Sequence, residues 1–242
     1  MNYHWNWGIF LEPSPEGNGT YGQMLMSGLW MTLLVSSLAW VLALCAGSLV
    51  GVVRSLPNVW ARRLSDIWIE PLRNIPLLVQ LFLWYFVLPE LVPVSWGDWL
   101  KQVPNAPFYN AVVGVGLFMS ARVAVQVATG LAALPRGQMA AGLALGLTPA
   151  QAYRYVLLPM AFRVVLPPLT SEMINTIKNT SVALTIGLAE LTARARAVQE
   201  FSFQVFEAFA AATLGYLAIN LLATLVMRLI ERQARLPGFG KA

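Results

Sequence analysis

The sequence predicts an all-α integral membrane protein of five transmembrane helices, and three observations carry that prediction. Of 242 residues, 57% are hydrophobic and only 11% are charged, whereas a soluble domain carries about 25% charged residues. Residues 24–53 contain no charged side chain, and neither do residues 208–227. About 20 apolar residues suffice to cross the hydrocarbon core of a bilayer, so these runs are spans. The third observation is that the basic residues sort by side once the spans are drawn.

The spans fall at 24–53, 67–89, 108–131, 163–189 and 205–229. Five crossings place the termini on opposite sides. One side holds Arg54, Arg62 and Arg63, then Arg136, Arg154 and Arg163, and in the tail Arg228, Arg232, Arg235 and Lys241. The other side holds Lys101, Arg194 and Arg196. Positive charge is retained in the cytoplasm, so the amino terminus is expected outside and the tail inside. The expected organisation is an outer N-terminal segment 1–22, a membrane domain 23–231 with a cytoplasmic loop at 132–162, and a cytoplasmic tail 232–242. Loop placement accounts for the net charge of +5 without a nucleic-acid partner. The partner that the composition does require is a lipid bilayer.

Composition also narrows the chemistry. One histidine, His4, and one cysteine, Cys45, leave no material for a zinc site or a disulfide framework. No phosphate-binding Gly-x-x-x-x-Gly-Lys-Ser/Thr loop occurs, and no His-Glu-x-x-His or Gly-x-Ser-x-Gly motif is present. The chain therefore reads as a non-enzyme, with no catalytic residue and no cofactor or metal of its own. Any energy from ATP must come through a second protein. The segment from Met1 to Trp7 lacks a basic n-region, so no cleaved signal peptide is expected.

The 132–162 loop has a clear local grammar. Leu134-Pro135 breaks the third span, and 137–145 is rich in good helix formers. Gly146 stands where a helix end needs a left-handed residue. Thr148 then serves as an N-cap, with Pro149 at the first helical position and Gln151 completing a capping box. A second helix is expected to run to Leu158 and to stop at Pro159. Two short, well-specified helices make either a rigid element that docks into a groove on another protein, or an amphipathic hairpin lying on the bilayer.

Charge at membrane depth is costly and marks function by default. On a helical wheel Ser171, Glu172, Asn175, Thr176, Lys178 and Asn179 fall within about 160° of arc, opposite Met173, Ile174 and Ile177. That is a span with one wet face, and Pro167-Pro168 before it is expected to disturb the hydrogen-bond ladder. Glu172 suits an α-ammonium, while Asn175 or Asn179 suits a carboxylate. Arg122 interrupts the third span, and its planar fork matches a carboxylate. The alternative is that Arg122 pairs with Glu172 or Glu70 as structure, and that Glu172 and Lys178 neutralise structural partners. Glu70 and Arg73, three residues apart, are expected to neutralise each other.

The loop resembles the cytoplasmic motif of bacterial ABC-importer permeases. That motif is Glu-Ala-Ala, three residues, Gly, nine residues, Ile-x-Leu-Pro. Here it reads Ala140-Ala141-Gly142, Gly146 and Val156-Leu157-Leu158-Pro159. The strings Arg73-Asn74-Ile75-Pro76-Leu77-Leu78-Val79-Gln80, Pro167-Pro168-Leu169-Thr170-Ser171-Glu172 and Lys178-Asn179-Thr180-Ser181 resemble its polar amino acid uptake branch. The Trp5-to-Phe10 and Ser120-to-Val123 stretches are most similar to a permease subunit of glutamate/aspartate importers.

The resemblance implies a type I ABC-importer permease architecture and an inner-membrane location. It implies import of polar, most specifically acidic, amino acids along Arg122, Glu172, Asn175, Thr176, Lys178 and Asn179. Docking on an ATPase would then use Arg136, Ala140, Ala141, Gly142, Gly146, Arg154 and Pro159. The implied partners are a homologous permease subunit, a dimer of ATP-binding subunits that carries ATP and Mg, and a periplasmic amino-acid-binding protein. Two departures stand out: Ala140 replaces the usual Glu, and Val125 stands where relatives often carry an acid. The rival reading is a membrane scaffold or sensor subunit that binds a partner without moving solute, which explains the loop but not the polar arc.

Overall fold

A computed structural model describes residues 3–17 and 19–234, with the backbone alone described at Arg136. Eleven α-helices follow one another among these residues: α1 Tyr21–Ser55, α2 Val59–Asn74, α3 Leu77–Phe82, α4 Leu88–Leu91, α5 Val94–Gln102, α6 Ala106–Ala132, α7 Arg136–Ala144, α8 Pro149–Ala152, α9 Leu158–Asn179, α10 Leu191–Ser202 and α11 Val205–Ala234. Most of the expected tail, with Arg235 and Lys241, lies outside the described residues.

Four stretches are long and apolar enough to cross a membrane: Tyr21–Ser55, Ala106–Ala132, Pro149–Ile186 and Val205–Ala234. The expected second span differs. Its helix stops at Asn74, and Ile75 adopts an extended backbone before Pro76, as the residue preceding a proline is driven to do. The chain resumes as α3, widens into a π-turn over Leu83–Val87 and closes with α4. The expected second span is thus a pair of helices bent by 102° rather than one straight helix.

One further expectation is corrected at a proline. Pro159 does not end the second loop helix. A π-turn over Tyr153–Leu157 joins α8 to α9, with the Leu158 amide reaching the Tyr153 carbonyl. Pro159 therefore falls in the first turn of α9, where a missing N–H is tolerated. Pro167 and Pro168 sit inside α9, which continues as one helix to Asn179.

The chain folds as two compact units. The first comprises residues 1–40, 76–116 and 175–222. Its core joins Ile9, Tyr21, Met24 and Leu25 to Leu191, Ala195, Val198, Ala208 and Ala212. Two fully buried carboxylates organise it. Glu190 caps α10 by accepting from the Thr192 and Ala193 amides at 3.0 and 2.8 Å, and it takes the Tyr216 hydroxyl at 2.6 Å. Glu207 accepts the Tyr3 hydroxyl, and the Asn6 amide at 2.7 Å, which fastens the N-terminal segment to the first turn of α11.

The second unit comprises residues 41–75, 117–174 and 223–242. Lipid tails are as apolar as leucine, so close packing rather than water exclusion drives helix association here. Gly47 and Gly51 supply the approach. A methyl group on Gly47 would lie 2.5 Å from the Ser120 carbonyl oxygen, and one on Gly51 would lie 2.6 Å from that of Ala124. The small-x-x-x-small spacing thereby seats α1 against α6. Ile69 of α2 packs with Ala121 and Ala124, and the Trp68 indole donates to Ser120 Oγ at 3.1 Å.

Candidate functional site

Within the second unit, α6 brings Arg122 opposite Glu172 of α9. The Arg122 Nε–H donates to Glu172 Oε2 at 2.7 Å. Gln126, one turn beyond Arg122, donates to Glu172 Oε1 at 3.5 Å. Glu172 is 5% exposed, whereas the Arg122 side chain is 42% exposed. The carboxylate is therefore held inside, and the guanidinium is engaged through Nε on a side chain that stays partly exposed. Charge-assisted bonds of this length are about twice as strong as neutral ones. Glu70 does not take Arg73 as expected: its Oε2 accepts from Asn74 Nδ2 at 3.0 Å, at i,i+4 spacing.

The polar arc of α9 proves to have two edges. Glu172 and Thr176 are buried, Asn175 and Asn179 are half-buried, and Ser171 and Lys178 are exposed. Ile177, expected on a dry back face, is buried too. The arc is thus no uniformly wet face: one edge packs into the chain and the other is open. Thr170 adds a contact that the wheel gave no reason to single out, donating to Glu231 Oε1 of α11 at 2.7 Å.

The turn between α7 and α8 has the expected construction. Gly146 is left-handed at φ +84°, and Thr148 and Gln151 close the capping box with bonds of 3.3 and 2.8 Å. Gly142 is buried, and a methyl group there would meet Ala152 Cβ at 3.3 Å, so α7 and α8 lie against each other. The Tyr153 hydroxyl donates to the Ser55 carbonyl at 3.1 Å, tying this element to the end of α1. Ala140, Ala141, Leu143, Leu145, Arg154, Tyr155 and Pro159 are all exposed, and Arg154 stacks over the Tyr155 ring at 5.6 Å. Arg136 opens α7, and its side chain lies outside the described residues. Among the described side chains, the element thus presents a small apolar surface with Arg154 as its cation and no acid.

Residues 43–236 match the family model described as the binding-protein-dependent transport system inner membrane component. The chain belongs to this family. It is accordingly a multi-pass inner-membrane permease component of a transport system, not an enzyme. The glutamate/aspartate import permease protein GltJ of Escherichia coli K12 is 47% identical over 241 residues, covering 98% of each chain. The glutamine transport system permease protein GlnP of the same strain is 33% identical over 213 residues, covering 88% of this chain and 94% of that one. Among solved structures, an amino acid ABC transporter crystallised with histidines aligns with a TM-score of 0.75 at 30% identity, over 88% of this chain and 95% of the other. The inward-facing MetNI methionine ABC transporter aligns at 0.71 and 20% identity, over 89% and 98%, a likeness of fold alone.

Proposed function

We propose that this chain is the membrane-spanning subunit of an ATP-driven importer of acidic amino acids, glutamate and aspartate. The observation that carries the reading is Arg122, a cation within a membrane-spanning helix whose Nε is fixed by buried Glu172 and whose side chain stays 42% exposed. A cation placed this way matches a substrate carboxylate bidentately, and polar groups at this depth line pathways. The whole-length likeness to GltJ supports the same substrate class.

The pathway residues are Arg122, Glu172, Asn175, Thr176, Lys178 and Asn179, the last five carried on one continuous helix. The α7–α8 element at 132–162 is cytoplasmic and docks on the ATPase through Arg136, Ala140, Ala141, Gly142, Gly146, Arg154 and Pro159. The amino terminus faces outside. A homologous permease completes the pathway, and a dimer of ATP-binding subunits holds ATP and Mg. A periplasmic amino-acid-binding protein delivers the substrate. Closure of the ATPases moves the docked element and switches the membrane subunits between outward- and inward-open states.

The test is reconstitution with those partners and measurement of ATP-dependent uptake of labelled glutamate, aspartate and glutamine. Uptake of the two acids in excess of glutamine supports the reading, and equal uptake of all three overturns the acidic preference.

A further inference from the structure

Residues 3–10, ahead of α1, are fastened to the helices that follow them. The Tyr3 hydroxyl and the Asn6 amide both donate to Glu207 in the first turn of α11. Ile9 is buried in the core of the first unit. The Phe10 carbonyl oxygen lies 2.8 Å from where a methyl group on Gly22 would stand, so the segment also crosses the first turn of α1. Helices α1 and α11 are both membrane-crossing, and their uncharged runs, 24–53 and 208–227, begin directly after these two contacts. The segment is therefore held at the level where two spans enter the hydrocarbon.

The side of this segment that is not packed is aromatic. Trp5 and Trp7 stack in parallel at 5.7 Å, Tyr3 and Trp5 each meet Phe206 of α11, and Trp7 leans on Phe10. Trp5, Trp7 and Phe206 are 59%, 52% and 56% exposed. At 100° per residue, Phe206 shares a face of α11 with Leu217 and Leu221, which are exposed too. The ring cluster is thus the end of an apolar stripe that runs down a spanning helix. Residues 3–10 hold no Lys, Arg, Asp or Glu. Trp and Tyr collect at the membrane–water boundary, because an apolar ring with one polar N–H or O–H suits a layer that is part hydrocarbon and part wet.

We propose that residues 3–10 and Phe206 form an aromatic collar seated in the phospholipid headgroup layer, and that it pins the starts of α1 and α11 at that depth. Contacts with the first turns of two spans set the depth, and continuity with the open stripe of α11 selects lipid over a protein. The collar shares no residue with the proposed pathway and does not rest on the substrate assignment.

The test measures nitroxide collision rates on the full-length chain in phosphatidylcholine vesicles, alone and assembled with its partner subunits. Cys45→Ala removes the only native cysteine, and Trp7→Cys or Phe206→Cys carries the label. Oxygen concentrates in lipid and a neutral nickel chelate in water, so the ratio of their collision rates reads depth. Leu217→Cys gives the lipid reference, and Glu200→Cys, at an exposed position of α10, gives the aqueous one. Both reporters are expected to fall between the two references. Adding Trp5→Ala, which removes a ring but no bond to Glu207, is expected to shift the label at position 7 toward the aqueous value. An aqueous ratio at either reporter overturns the proposal, as does an unchanged ratio after Trp5→Ala. Low collision rates with both reagents, seen once the partner subunits are assembled, overturn it in favour of a protein contact.

Discussion

Arg122 and Glu172 are joined through one guanidinium nitrogen, Nε to Oε2 at 2.7 Å, with the acid buried and the base partly open. That asymmetry decides how the pair responds to mutation. Removing one partner of a buried pair costs about 3–5 kcal/mol, while replacing both with neutral groups costs far less. Arg122→Ala is therefore expected to lower the thermal midpoint of the purified chain, and Arg122→Gln with Glu172→Gln to recover most of the loss. A double variant no more stable than the single one would show that an unpaired Glu172 is not the source of the loss.

The turn of the α7–α8 element depends on Gly146, whose φ of +84° strains any residue with a side chain. Nothing lies within 4 Å of a methyl group placed there, so Gly146→Val acts through the backbone angle and not through a clash. A β-branched residue in the left-handed region is a genuine outlier. The expected outcome in the reconstituted importer is ATP hydrolysis that continues while substrate moved per ATP falls. An unchanged ratio counts against docking through this turn.

Gly47 and Gly51 make the opposite kind of prediction, because there the neighbours are backbone carbonyls of α6. Gly47→Val would force α1 and α6 apart and disturb the helix that carries Arg122. Overpacking of this sort costs about 1–3 kcal/mol. A lower folded yield and midpoint are expected from size-exclusion and thermal assays, and Gly137→Val, with no neighbour within 4 Å, serves as the neutral comparison. Equal behaviour of the two variants would remove the close-approach argument.

Glu190 gives a pH-dependent prediction. Burial pushes its carboxyl above the usual 4.5, against the opposing pull of the Tyr216 hydroxyl and the Thr192 and Ala193 amides. The folded state therefore favours the protonated form. Its contribution is full below the unfolded value and is lost as pH rises through the folded one. The midpoint of wild type relative to Glu190→Gln should be highest below pH 4.5 and fall as pH rises above it. A pH-independent difference would contradict the assignment.

The apolar runs that became α1, α6 and α11 were legible in the sequence because lipid demands long uncharged helices. The turn at Gly146 and the box at Thr148 were legible because each is a local rule that neighbours cannot override. One proline misled, since its effect depends on register: Pro159 stayed helical, while the second span broke before Pro76, between Asn74 and Leu77. Arg122 and Glu172 were legible as costly residues, but whether they met was a question of tertiary distance. The Gly47–Gly51 spacing was an available signal that went unread. Glu190, Glu207 and Thr170 carried none, for each is an ordinary polar residue near a span end until its partner arrives from far along the chain.

The most direct measurement of the central claim is ATP-dependent glutamate uptake by the reconstituted importer carrying Arg122→Gln with Glu172→Gln, beside wild type. Loss of one charge-assisted contact to substrate corresponds to about a tenfold or greater fall, with assembly and ATP hydrolysis retained. Uptake at the wild-type rate in that folded variant would contradict a role for this pair in moving the substrate.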